Sequence, residues 1–167
     1  MGTTRSGKYL NTAGSARKVS DFALIHSSEG AFVKRMRKGK DKNKHPLRLD
    51  KGGHGQAGIN LLDKYKIEYH IVKTYPNGVW VGNAPDHTDR RKRSGIGQAW
   101  FPATWSNKDI KRAGTHVASL KHNRHVPDGK IVWGNYKGVR VGVIHTHGKI
   151  ATIFPDKIQP SKHGGRK

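Results

Sequence analysis

IVWGNYKGVRVGVIHTHGKIATIFP, residues 131–155, is the stretch that decides the fold class. Three β-prone runs, residues 131–133, 139–146 and 150–154, are separated by Asn135-Tyr136-Lys137-Gly138 and by His147-Gly148. Short runs rich in branched and aromatic residues, punctuated by glycine turns, predict a three-stranded antiparallel meander. Upstream, Ser106 followed three residues later by Asp109 has the form of a capping box. Ile110, Ala113, Val117 and Leu120 then make one apolar stripe, which predicts a helix ending near His122. Farther upstream, residues 67–75 and 79–82 flank Pro76-Asn77-Gly78, a hairpin signal. Ile59 and Leu62 predict a short helix over residues 56–65, and Phe22-Ala23-Leu24-Ile25 suits either a strand or one helical turn. Residues 34–44 and 86–96 read as basic loops.

The expected class is α+β: antiparallel sheets, a hairpin plus the C-terminal meander, packed with a few short helices. Residues 1–20 read as a flexible basic arm, 21–157 as the folded domain and 158–167 as a basic tail.

Lysine and arginine number 33 against 11 acids, for a formal charge of +22. A chain so lopsided repels itself, and a polyanion is the partner that relieves it, nucleic acid first. The acids are two glutamates and scattered single aspartates, a poor supply for the converging carboxylates of a two-metal nuclease. No cysteine is present, which excludes disulfides, thiol catalysis and cysteine-ligated zinc. No run approaches membrane-spanning length, and the first residues lack the apolar stretch of a secretory signal, so no membrane partner is expected. The 11 histidines make imidazole, with ammonium, the expected agent of any phosphoryl chemistry.

Gly52-Gly53-His54-Gly55 sharpens that expectation. A histidine flanked by glycines sits on backbone with no side chains to crowd it, so a polyanion can approach the ring, and glycine can take the positive φ that aims it. His54 is the leading catalytic candidate. His145-Thr146-His147 invites a metal reading, since alternate strand residues share a face, and His122-Asn123-Arg124-His125 superficially suggests another. Neither has a carboxylate set nearby, and His147 falls in a turn, so no metal and no cofactor is expected.

The Gly-Gly-His-Gly loop, Tyr75-Pro76-Asn77-Gly78-Val79, Phe101-Pro102 followed by Trp105-Ser106 and a helix, and Gly148-Lys149-Ile150-Ala151-Thr152-Ile153-Phe154-Pro155 occur in an order that resembles the bacterial EndoU ribonuclease family, from about Gly52 to Pro155. The resemblance implies a metal-independent endoribonuclease that uses two histidines and a lysine to attack phosphorus with the ribose 2′-OH, leaving a 2′,3′-cyclic phosphate. It implies His54 as one histidine and leaves two choices for the other: His45, upstream of the glycine loop, or His87, beside the second basic loop. Lys92 is the nearest lysine before Phe101-Pro102, and Arg91, Arg93 and Ser94 around it are substrate-binding candidates. The family's Thr-x-Tyr-Pro is here Thr152-Ile153-Phe154-Pro155, so the threonine hydroxyl is kept for phosphate or base while Phe154 offers only a ring. Family members are common as toxin tips, which implies RNA as substrate (tRNA is plausible), delivery to a target-cell cytoplasm without the chain's own signal peptide, and an acidic immunity or inhibitor protein as partner. The competing expectation is a non-catalytic basic RNA-binding protein, with Trp80, Trp100, Trp105 and Trp133 among its cations.

Overall fold

Three strands, β6 (Ile131–Tyr136), β7 (Val139–Thr146) and β8 (Lys149–Pro155), form the meander with β7 in the centre. The structure is a computed structural model that describes residues 18–160; residues 1–17 of the arm and 161–167 of the tail lie outside the described residues. Two-residue turns join the strands, Lys137-Gly138 and His147-Gly148, with φ of 49°, 78°, 54° and 73°. Positive φ at both positions is the hairpin geometry whose twist matches that of the strands, and a glycine in each turn reduces its steric cost.

One face of the meander carries Val132, Val141, Val143 and Ile153 into the core, where α3 (Asn107–Ser119) covers it. The capping box forms at Ser106, and Ile110, Ala113 and Val117 are fully buried. The helix stops at Ser119 rather than near His122, and Lys121–Asn123 continue as a 3₁₀ turn. The buried Asn123 side chain explains this stop: its amide donates to the carbonyls of Val117 (2.8 Å) and Trp133 (2.9 Å), which answers a helix-end carbonyl. Gly114 permits the close crossing, since a Cβ there would stand 2.4 Å from Ile153 Cδ1.

The apolar run at residues 22–25 is helical, within α1 (Asp21–Ser28). Ser20 caps it, Ala23 and Ser27 face inward, and Phe22 and Ile25 face solvent. The Ser27 hydroxyl accepts the Ile153 N–H (2.9 Å), tying α1 to β8. Val19 pairs in parallel with Ile150, so the last residues of the segment read as an arm join the sheet.

Two further antiparallel sheets flank this core. The predicted hairpin forms as β3 (His70–Thr74) and β4 (Trp80–Asn83), extended by β5 (Gln98–Trp100) on the far side of β4. β1 (Ala31–Lys34) and β2 (Leu47–Lys51) pair around the basic loop; their mixed charged and apolar residues carry no strand signal in the sequence. The helix expected over residues 56–65 forms as α2 (Gln56–Tyr65) and closes a smaller core of Leu49, Ile59, Leu62, Ile67 and Trp100. No helix among the described residues is long and apolar enough to cross a membrane.

Candidate active site

The outer face of the meander, the end of β2, the last turn of α1 and the basic turn after β4 enclose a cleft of about 660 Å³. The arrangement begins at the end of α1. A helix leaves its last carbonyls without partners. Here the carbonyls of His26, Ser27 and Ser28 accept from the N–H groups of Gly53 (3.1 Å), His54 (2.6 Å) and Gly55 (3.0 Å). Three consecutive bonds zip the glycine loop to the helix, and His26 and His54 come to line the same cleft.

Only glycine allows that approach. Gly52 has φ 65°, and a Cβ on it would stand 2.0 Å from the His26 carbonyl oxygen. A Cβ on Gly58 would stand 2.6 Å and 2.7 Å from the carbonyl oxygens of Gly53 and Ser28. The glycines therefore serve backbone against backbone, and the expected openness around the ring is not found: His54 is 6% exposed. The His54 carbonyl accepts the Phe101 N–H (2.7 Å), which is how the Phe101-Pro102 motif braces the loop.

Within the cleft, His54 Nδ1–H donates to the Ala99 carbonyl (2.8 Å), which leaves Nε2 as the basic nitrogen. Burial, and then the Lys92 ammonium, push its pKa down to about 3, with the Ala99 bond opposing. The ring is thus neutral at ordinary pH. The Phe154 ring lies 5.9 Å from it.

Lys92 sits half-buried on the 3₁₀ turn Arg90–Lys92, which Asp89 caps. Burial lowers the ammonium's pKa, and Asp89 opposes that. His87 is buried, and burial followed by Lys92 hold it down to about 4. Its Nδ1 accepts the Asp89 N–H (2.8 Å), and its carbonyl accepts from Arg93 (2.7 Å) and Arg48 (3.3 Å). His87 Nε2 is enclosed away from solvent, so this residue organises the basic turn.

Of the other residues expected from the sequence, Thr152, Phe154 and Arg91 line the cleft, Arg91 with an exposed side chain. Arg93 and Ser94 do not: Arg93 is committed to the carbonyls of His87 and Thr88, and Ser94 is exposed on the turn. His45 is also not brought to the cleft. Its Nδ1 accepts the Leu47 N–H (2.9 Å) and its Nε2 bonds the Tyr65 carbonyl (2.6 Å), which fastens β2 to the end of α2. His147 occupies a turn with φ 54°, and His145 is fully buried. Among the described residues no three His, Cys, Asp or Glu side chains group as metal ligands.

The residue that sequence reasoning missed is His26. It lines the cleft, and burial, then Lys51 and Lys92, lower its pKa. No local pattern marks it, because its place is made by carbonyls that any helix end offers. The cleft holds three imidazoles and several cations against the carboxylates of Asp50, Asp89 and Asp156. Burial, and then neighbouring lysines, lower the pKa of each imidazole, so the arrangement suits a phosphodiester with a neutral base beside it and an ammonium to offset charge on its oxygens.

A family model described as bacterial EndoU nuclease matches residues 29–157. No curated protein and no solved structure matches the chain.

Proposed function

The chain belongs to the bacterial EndoU nuclease family, and we propose that it cuts RNA by transphosphorylation, with His54 as general base, His26 as general acid and Lys92 as the stabilising cation. Nε2 of His54 takes the proton of a ribose 2′-OH, and that oxygen attacks the adjacent phosphorus. Protonated His26 delivers its proton to the departing 5′-oxygen as the P–O bond breaks. The products are a 2′,3′-cyclic phosphate and a free 5′-OH. Each proton transfer is worth roughly 10²–10⁴-fold. The Lys92 ammonium offsets charge on the non-bridging oxygens.

The observation that carries this reading is the pair of histidines held to one cleft by the bonds from the glycine loop to α1, with His54 fixed by Ala99 so that Nε2 is basic. The depressed pKa of His26 does not disqualify it as an acid. Its causes after burial are Lys51 and Lys92, and the negative charge of an entering phosphodiester opposes theirs. Thr152 would bind the phosphate or a base edge, Phe154 would stack on a base, and His87 would position the turn that carries Lys92. We assign the protein the role of a toxin delivered to a target-cell cytoplasm. An acidic immunity protein is then the expected partner, since a +22 chain favours fast electrostatic capture.

The test is cleavage of total tRNA and of single-stranded DNA in excess EDTA by wild type and His54→Ala, with product ends assayed for cyclic phosphate. Cleavage of RNA alone, leaving cyclic ends and abolished by the substitution, is expected. Intact RNA, bound tightly and with salt dependence by both proteins, would sink the enzyme reading and leave RNA binding.

A further inference from the structure

On the meander face turned away from α3, the register sets Trp133 opposite Gly142 and Gly142 opposite Phe154, one row across three strands. An exposed antiparallel face ordinarily carries polar side chains. Here Trp133 and Phe154 are part-exposed, Ile131 and Ile144 flank them, and all four line the cleft. The rings meet edge to face, with centroids 5.6 Å apart and planes at 79°. They do so over Gly142, where a Cβ would stand 2.7 Å from Phe154 Cζ and 2.9 Å from Trp133 Cζ3. The Arg140 guanidinium lies 4.7 Å from the Trp133 ring centroid, and its Nε bonds Asp156 Oδ2 (2.8 Å). A continuous line of planar groups thus leads from His54 through Phe154 and Trp133 to Arg140.

We propose that Trp133 and Arg140 form a second base-binding position, which takes the nucleobase next to the one at Phe154. This rests on the ribonuclease reading and adds to it a requirement for two adjacent bases. Aromatic rings and guanidinium planes are the groups on which unstacked bases lie. The strip is continuous with the phosphate cleft, and Arg91 and Lys157 line the same cleft to accompany the backbone. A base leaving Phe154 along this face therefore meets an apolar, cation-edged surface.

The test uses oligonucleotides with a single ribose, so that one bond can be cut, and with the base on either side of the cleaved nucleotide present or abasic. Wild type is expected to lose about tenfold in kcat/KM when the base is removed on one side, a stacking-sized effect. Trp133→Leu, which keeps apolar bulk, should erase that ratio, and Trp133→Phe, which keeps a ring, should restore most of it. Equal cleavage of all substrates by wild type, or a ratio that survives in Trp133→Leu, overturns the proposal. All-deoxy versions, which cannot be cut, give dissociation constants by fluorescence anisotropy. Failure of the ribonuclease reading alone would appear as no cleavage of any substrate, with the Trp133-dependent affinity difference still present. Failure of the second position would appear as cleavage without any such difference.

Discussion

Acidification from pH 8 to pH 5 is expected to remove a large part of the folding free energy, through two cleft histidines. In the unfolded chain an imidazole titrates near ~6.5. In the folded protein, burial and then Lys92 hold His54 at about 3 and His87 at about 4. The folded pKa lies below the unfolded one, so below the unfolded pKa the unfolded chain binds protons first. Stability is therefore full above the unfolded pKa and is lost as pH falls toward the folded values. At pH 5 each histidine costs RT ln(1 + 10^1.5), about 2 kcal/mol, so the pair costs about 4 kcal/mol. A domain typically has about 5–15 kcal/mol in all. His26, also lowered, acts in the same sense. The depressed carboxyls Asp41, Asp89 and Asp109 begin to lose their contribution only as pH falls into the ordinary carboxylate range, so from pH 8 to 5 the change comes chiefly from the imidazoles. The assay is urea unfolding followed by tryptophan fluorescence at pH 8, 6.5 and 5, in wild type and in His87→Asn, whose loss should be smaller by about 2 kcal/mol. A folding free energy that stays level from pH 8 to 5, or that rises on acidification, would refute the reasoning.

Three substitutions probe the site from other directions. His26→Ala should lower kcat by roughly 10²–10⁴-fold, whereas His45→Ala, outside the cleft, should leave kcat within a few-fold; the opposite pattern in a cleavage assay would reverse the assignment. Gly58→Ala, worth about 1 kcal/mol in helix propensity, should nevertheless lower the melting temperature, because its Cβ would meet the carbonyl oxygens of Gly53 and Ser28 at 2.6 Å and 2.7 Å. A rise in Tm would show that the contact between α1 and the loop gives way cheaply. Lys92→Met should cut kcat by roughly 10²-fold or more. It should also move the His87 NMR titration midpoint upward, since Lys92 is the second cause of its depression after burial; an unmoved midpoint would separate the two groups.

Much of the fold was legible because its signals are carried by single residues or one helical period. Lys137-Gly138 and His147-Gly148 specify their turns since positive φ is a property of one residue's own sterics. Ser106 with Asp109, and the stripe Ile110, Ala113 and Val117, specify α3 for an equally local reason. His54, Lys92, Thr152 and Phe154 stood out as motif residues, and all line the cleft. His26 did not stand out. Beside it, the run of residues 22–25 suited a strand or a helical turn, and packing made it a helix that buries Ala23 while leaving Phe22 and Ile25 exposed. The strands β1 and β2 were hidden by their mixed charged and apolar composition.

What the sequence determined by itself is the meander, the β3–β4 hairpin, the helices α2 and α3, and the basic character of the chain. Which imidazoles share a cleft was decided only by tertiary structure. His26 and His54 are joined through backbone N–H and C=O groups, which carry no residue identity. His45, closer to His54 in sequence, is held elsewhere by the carbonyl of Tyr65. The depressed pKa values follow from the same source, because burial and the approach of Lys92 exist only once the distant segments have packed.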